Sequence, residues 1–234
     1  MNVTLPGATV MMPAAFKVQS PTTIVRQEDE RILQYLCGLV AWTQPQRVSR
    51  LVITENSNTR FDFTRVTEHV RAAGKELEVL VFQGTPDAAR LGQGFGEGEL
   101  LEYMFTHSRL LRAANTFYKV TGRIFVKNFD EIDANTTSDN VFHRKARKPP
   151  KPSKANTVFF KCSREVFETR LLHAYRDINE PHGINFEQVY YNGLRGLDAP
   201  DFSIGPILVG QQASTGKHYE PYDQAVVDTA RSLM

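Results

Sequence analysis

The chain has 234 residues, enough to bury a sizeable core, and its 41% hydrophobic and 23% charged content is that of an ordinary globular protein. A formal net charge of +2 is too small to make nucleic acid the expected partner, and no apolar run reaches membrane-spanning length. The two cysteines, Cys37 and Cys162, show no metal-ligand spacing and read as free thiols in a reducing compartment. With no basic-then-apolar leader at the N-terminus, the expected location is cytoplasmic, with peripheral membrane contact left open.

Residues 8–15 (ATVMMPAA) form an apolar run that predicts a first buried strand ending near Pro13. Ile32, Leu33, Leu36, Leu39 and Val40 recur at helical spacing over 27–42, with Glu28, Asp29 and Glu30 suiting the helix N-terminus and Pro45 stopping it. The β-branched run VSRLVIT at 48–54 predicts a second strand, broken by the polar turn Glu55-Asn56-Ser57-Asn58. A helix over 63–73 ends at Gly74, and LEVLVF at 77–82 predicts a third strand. The stretch 91–128 places Gly92, Gly94 and Gly96 before a helical pattern, then a strand over 116–121 that stops at Thr121-Gly122-Arg123. Strand and helix alternating in this way predict an α/β chain: a Rossmann-like domain with a central, mostly parallel sheet flanked by helices. Ligands of such sheets bind beyond the carboxyl ends of the strands, here Pro13, Glu55-Asn56, the loop 83–96 and Thr121-Gly122-Arg123.

Regularity fails after Asp133. The segment HRKARKPPKPSK (143–154) is basic and carries three prolines, so an exposed or disordered loop is expected over about 135–156, inserted in a single domain spanning 1–234. A strand over 157–162, a helix over 164–175 with Ser163 as N-cap, a helix over 186–194 and a closing helix over 222–233 follow.

The glycines admit two readings: a close backbone approach to an anion at a helix N-terminus, or a plain chain reversal. No Gly-Lys-Ser/Thr follows them, they come after the third strand and not the first, no Ser-centred nucleophile elbow occurs, and no histidine pair shares a helix face. Phosphate-loop, dinucleotide-fingerprint, serine-hydrolase and histidine-metal chemistry are thereby disfavoured. Glu97 and Glu99, expected in the first helical turn, compete with an anion. The glycine turn therefore reads as a wall beside a sugar or nucleoside, and phosphate binding falls to Arg123, whose guanidinium makes bidentate, charge-assisted bonds.

The order of these pieces resembles the GT-A type of nucleotide-sugar-dependent glycosyltransferase. The pattern Gly-x-Gly-x-Gly-Glu, a helix, then Tyr118-Lys119-Val120-Thr121-Gly122-Arg123 is similar to bacterial surface-polysaccharide (lipopolysaccharide and capsule) enzymes of that type. The resemblance implies transfer of a sugar from a nucleotide-sugar donor to a glycan or lipid-linked acceptor. It assigns the donor to Pro13, Glu55, Asn56, Gly92, Gly94, Gly96, Thr121, Gly122, Arg123 and Lys127, with Arg144, Lys145 and Arg147 as further cations. A C-terminal tail over about 205–234 is implied to close as a lid, with Ser214 and Lys217 toward the donor. Most relatives bind a divalent metal through Asp-x-Asp at the end of the fourth strand; Thr121-Gly122-Arg123 has no carboxylate there, so Arg123 is expected to substitute and transfer to be metal-independent. A general base is implied at the start of a late helix, with Glu187 first and Asp177 and Glu180 behind it. The competing readings are a non-enzymatic binder of polyanions, nucleic acid or anionic lipid, through the 143–154 segment, and a nucleotidyltransferase, which calls for an acidic pair at the strand ends.

Overall fold

A computed structural model describes residues 7–18, 23–148, 150–212, 216 and 218–234. Its centre is a five-stranded sheet built from β1 (Ala8–Ala14), β2 (Val48–Glu55), β3 (Glu76–Val81), β4 (Thr116–Val120) and β8 (Phe159–Ser163), in the order β3-β2-β1-β4-β8. The first four strands run parallel and β8 runs antiparallel to β4. The expected α/β architecture holds, and so do the predicted helices α1 (Glu28–Ala41) and α2 (Thr64–Ala72). Gly74, at φ +74°, ends the latter in the left-handed region that glycine tolerates.

Apolar side chains cover both faces of the sheet. On one face Leu36, Leu39 and Trp42 of α1 and its C-cap pack on Val10, Met12, Leu51 and Ile53. On the other, Met11 and Val52 face Leu101, Met104 and Phe105 of α4 (Gln93–His107), the long helix that follows the short α3 (Asp87–Leu91). The alternation along β1, Val10 and Met12 to one side and Met11 to the other, is the period-two pleat expressed in packing.

Two departures from the expected elements bear on the site. The glycines do not form a turn ahead of a helix: Gly92 is the N-cap of α4, and Gly94, Gly96 and Gly98 lie within its first turns. They are there for close packing, since a Cβ on Gly94 would meet Phe186 Cβ at 2.8 Å and one on Gly98 would meet Tyr175 Cβ at 2.0 Å. The basic segment is not a structureless loop either. After the short α5 (Arg109–Arg112), β5 (Ile124–Val126) and α6 (Phe129–Asn135), strands β6 (Arg144–Lys145) and β7 (Lys154–Ala155) pair as an antiparallel hairpin.

The helix expected over 164–175 breaks up. Ser163 does cap it, accepting the Val166 N–H, but α7 (Arg164–Val166) gives way to a π turn at Phe167–Leu171 and a 3-10 turn at Ala174–Asp177. A further 3-10 turn, Glu180–His182, leads to α8 (Phe186–Gly193), which starts in a capping box between Asn185 and Gln188. The tail returns as β9 (Leu208–Gly210), antiparallel to β5, and ends in α9 (Gln224–Ser232). Among the described residues no helix is long and apolar enough to cross a membrane.

Candidate active site

Strands β2 and β3 extend the sheet to one side of β1, and β4 lies on the other, so the chain reverses its winding between β1 and β4. A crevice opens at such a switch point, beyond the carboxyl ends of the strands. Here the two ends are fastened together: the Gly122 N–H donates to the Pro13 carbonyl at 3.2 Å. A Cβ on Gly122 would sit 2.5 Å from that carbonyl oxygen and 3.1 Å from the Tyr35 ring, and one on Gly38 of α1 would sit 2.6 Å from the Gly122 carbonyl. Glycine at 38 and 122 thus lets α1 and the end of β4 close on each other. Arg123, the next residue, is delivered to the floor of the crevice.

The resulting cleft encloses about 700 Å³ of space continuous with solvent, and Pro13, Asn56, Gly96, Thr121 and Arg123 all line it. So do Lys17, Thr23, Arg31, Tyr35, Gln93 and Glu97. Its polar centre is a triad from two elements. The Tyr35 hydroxyl oxygen accepts from the Ala15 N–H at 3.1 Å, from Arg123 Nη2 at 3.2 Å and from Arg31 Nη2 at 3.3 Å. Arg31 further donates to the carbonyls of Ala15 and Val25, at 2.6 and 3.0 Å, and Arg123 Nη1 donates to Gln34 Oε1 at 3.0 Å. Both arginines are 2% exposed, and Arg123 Nε has no hydrogen-bond partner among the described residues.

The triad carries an excess of donors. A phenol oxygen has two lone pairs and its own proton, yet three N–H groups converge on it, and a fourth nearby N–H is unmet among the described residues. Two buried cations side by side are unfavourable without a negative partner. The field is visible in the titration of the groups involved: burial pushes the Tyr35 phenol up, but the charges of Arg123 and Arg31 outweigh it and leave the phenol below the ordinary tyrosine range. Burial likewise lowers Arg31, and the Arg123 charge adds to that. An anion in the cleft satisfies the donors and the charge together.

Several sequence-assigned residues take other places. The Glu55 carboxylate is wholly buried and accepts from the N–H groups of Phe16, Ser57 and Thr59 and from the Ser57 hydroxyl, so both its oxygens are engaged in tying the ends of β1 and β2 together, and it does not line the cleft. Lys127 lies away from the cleft, paired with Glu220 at 3.0 Å. Arg144 donates to the carbonyls of Leu194, Leu197 and Ala199 beyond the end of α8, which commits it to the fold and not to a phosphate. Lys145 and Arg147 remain exposed on the hairpin. Asp177 is exposed and lines neither the cleft nor the depression beside it. Ser214 and Lys217 lie outside the described residues.

The N-terminus of α4 is no anion site, because the chain supplies its own carboxylate. Glu180 accepts from the Gln93 N–H at 3.1 Å and the Gly94 N–H at 2.8 Å, and Gly92, at φ +118°, leaves room for it, since a Cβ there would overlap the carboxylate at 2.2 Å. Glu180→Ala orphans both N–H groups and is expected to remove about 1 kcal/mol of stability. That is a drop of about 2–4 °C in Tm for a chain of this size, read by calorimetry.

A second depression adjoins the cleft, sharing Gln93, Glu97 and Thr121 with it and adding Thr157, Glu180, Phe186 and Glu187. Glu187, in the first turn of α8, lines this depression and not the cleft itself. Arg31 and Tyr35 were the residues that sequence reasoning missed. Their signal was faint: an arginine and a tyrosine four apart, flanking the apolar stripe of α1.

No metal-binding carboxylate set stands at the end of β4. Thr121, Gly122 and Arg123 offer none, Glu55 is consumed, and among the described residues no group of three His, Cys, Asp or Glu could hold an ion. The donor set of Arg31, Tyr35 and Arg123 fits an anion.

The mixed α/β fold is similar to that of a solved glycosyltransferase, a likeness of fold alone. Among solved structures the chain is similar to the glycosyltransferase GlyE of Streptococcus pneumoniae TIGR4, with a TM-score of 0.55 at 8% identity over 85% of this chain and 46% of that one. It therefore spans about half the length of GlyE. Lower-scoring likenesses include an active-site mutant of LgtC, at TM-score 0.47, 13% identity and 80% and 69% coverage, and a 4-diphosphocytidyl-2C-methyl-D-erythritol synthase, at 0.45, 12%, 97% and 99%. No protein-family model and no curated protein sequence matches the chain.

Proposed function

We infer that the protein is a nucleotide-sugar-dependent glycosyltransferase that binds the donor's diphosphate at Arg123, Arg31 and Tyr35. The observation that carries this reading is the donor surplus of that buried triad at the switch point of the sheet. Asn56 and Pro13 line the same cleft and would meet the nucleoside, while the sugar extends toward Gln93 and Glu97. As the bond between the anomeric carbon and the diphosphate oxygen breaks, negative charge grows on the departing oxygen. Preorganised guanidiniums are the groups that stabilise it. Because the strand end lacks a cation-binding set, this stabilisation is assigned to Arg123, and transfer is metal-independent.

The acceptor enters over the second depression, where the Glu187 carboxylate takes the proton of the attacking hydroxyl. Together with the resemblance of the glycine-to-Thr-Gly-Arg stretch, this reading assigns the acceptor to a glycan or lipid-linked intermediate of bacterial surface polysaccharide, handled on the cytoplasmic side. Exposed Lys145, Arg147, Lys148 and Lys151 on the hairpin are suited to an anionic carrier or membrane. Polyanion binding without catalysis is the weaker reading, since Arg144 is already committed and the cleft lies elsewhere.

A thermal-shift panel of nucleoside diphosphates and nucleotide-sugars, run in EDTA and again with manganese, tests the reading. A ligand at about a hundred times its Kd adds about 2.7 kcal/mol of stability, which is a rise of several degrees in Tm. The rise is expected to be the same in EDTA. No shift with any member removes the transferase reading, and a shift that requires manganese removes the metal-independent one.

A further inference from the structure

Gln93, Glu97 and Thr121 line both the cleft and the depression next to it, so they stand where the two join. Of the three, Glu97 is the charged one, and its setting is built. Its side chain is 20% exposed and is ion-paired with Lys119, whose side chain is fully enclosed. Lys119 also donates to the Thr157 carbonyl, reaches Thr121 Oγ1 at 3.5 Å, and lies over the Phe160 ring. A completely buried ammonium is expensive to keep unless it is paired. Here it anchors one carboxylate at the mouth of the cleft. The helix that carries Glu97 is held in place by the Glu180 cap and by the close packing at Gly94 and Gly98, so the carboxylate is fixed from both ends.

An ion-paired carboxylate accepts hydrogen bonds and donates none. A sugar whose diphosphate sits at Arg123 is attached directly to that group, and the opening toward the acceptor side passes Glu97. Hydroxyl groups are the complementary chemistry, and a second carboxylate is the chemistry that Glu97 repels.

Resting on the glycosyltransferase reading, we propose that Glu97, positioned by Lys119, determines donor specificity. It accepts hydrogen bonds from hydroxyls of the donor sugar and so selects neutral hydroxylated sugars over sugars that carry a carboxylate. The test uses matched pairs: UDP-glucose with UDP-glucuronate, UDP-galactose with UDP-galacturonate, and GDP-mannose with GDP-mannuronate, with free UDP and GDP alongside, titrated calorimetrically into the full chain. Wild type is expected to bind the neutral member of its preferred pair at least about tenfold more tightly than the uronate, the scale of a charge-assisted hydrogen bond. Glu97→Gln should bring that ratio toward unity and change the affinity for the free diphosphate by much less than it changes the ratio. Should this single change leave Lys119 uncompensated and the fold weakened, the double variant Glu97→Gln with Lys119→Met removes both charges and should show the same loss of discrimination. Equal binding of both members by wild type, an unchanged ratio in the variants, or a matching change in free-diphosphate affinity each overturns the proposal. Failure of wild type to bind any diphosphate or nucleotide-sugar overturns the transferase reading too, which separates the two failures.

Discussion

Arg123→Met is expected to abolish the stabilisation by nucleoside diphosphates and to lower turnover by about 10²–10³-fold, the loss seen when one preorganised transition-state donor is removed. The folded protein should tolerate the change. Methionine matches the arginine side chain as far as Nε, and it relieves a site in which two guanidiniums and a backbone N–H crowd one phenol oxygen. Arg123 has no carboxylate partner among the described residues and stands beside the Arg31 charge, so its removal breaks no buried ion pair and relieves a repulsion. An unchanged or raised Tm in the absence of ligand, together with a lost ligand response, is therefore the signature of a binding residue. A structural arginine would give the opposite pattern. Arg123→Lys should not restore binding, because an ammonium cannot make the planar, forked contact that serves Gln34, Tyr35 and an anion at once. Retention of the diphosphate shift in Arg123→Met would remove the guanidinium from the site.

The second large effect is expected at Glu187. Glu187→Gln keeps the shape of the side chain and the capping box of α8 but removes the base, and turnover should fall by about 10²–10⁴-fold with donor binding intact. The competing role for a carboxylate in a first helical turn is to complement the helix dipole. That role predicts a stability loss of about 0.3–1 kcal/mol and near wild-type turnover. Steady-state kinetics beside a melting curve therefore distinguish them. A result of the second kind takes Glu187 out of the chemistry.

Local patterning made much of the fold legible. The β-branched run of β2, the helical spacing of Ile32, Leu36 and Leu39, and the stop at Gly74 each depend on near neighbours. From that alternation the sheet and its carboxyl-end crevice followed, and with them Pro13, Asn56, Thr121 and Arg123 on the cleft wall. The glycines were legible as special but not in their purpose. Their spacing suits an anion cradle, whereas what they accommodate is Phe186, Tyr175 and the Glu180 carboxylate, which is 87 residues along the chain from Gln93. The basic segment was read from composition as loose, and the pairing of Arg144 with Ala155 makes it a hairpin.

The sequence alone determined which elements form and in what order, because helix and strand periods are short-range properties of the chain. Tertiary structure decided which polar groups lose their water and what they meet in exchange. Arg123 meets Gln34 and Tyr35 across 89 and 88 residues, Lys119 meets Glu97 across 22, and Glu55 reaches Phe16 across 39. Burial and partnership at such separations depend on the packing of the whole sheet, and no local window records them. That is why one carboxylate at a strand end became a structural tie, while one buried guanidinium kept a donor with no partner among the described residues.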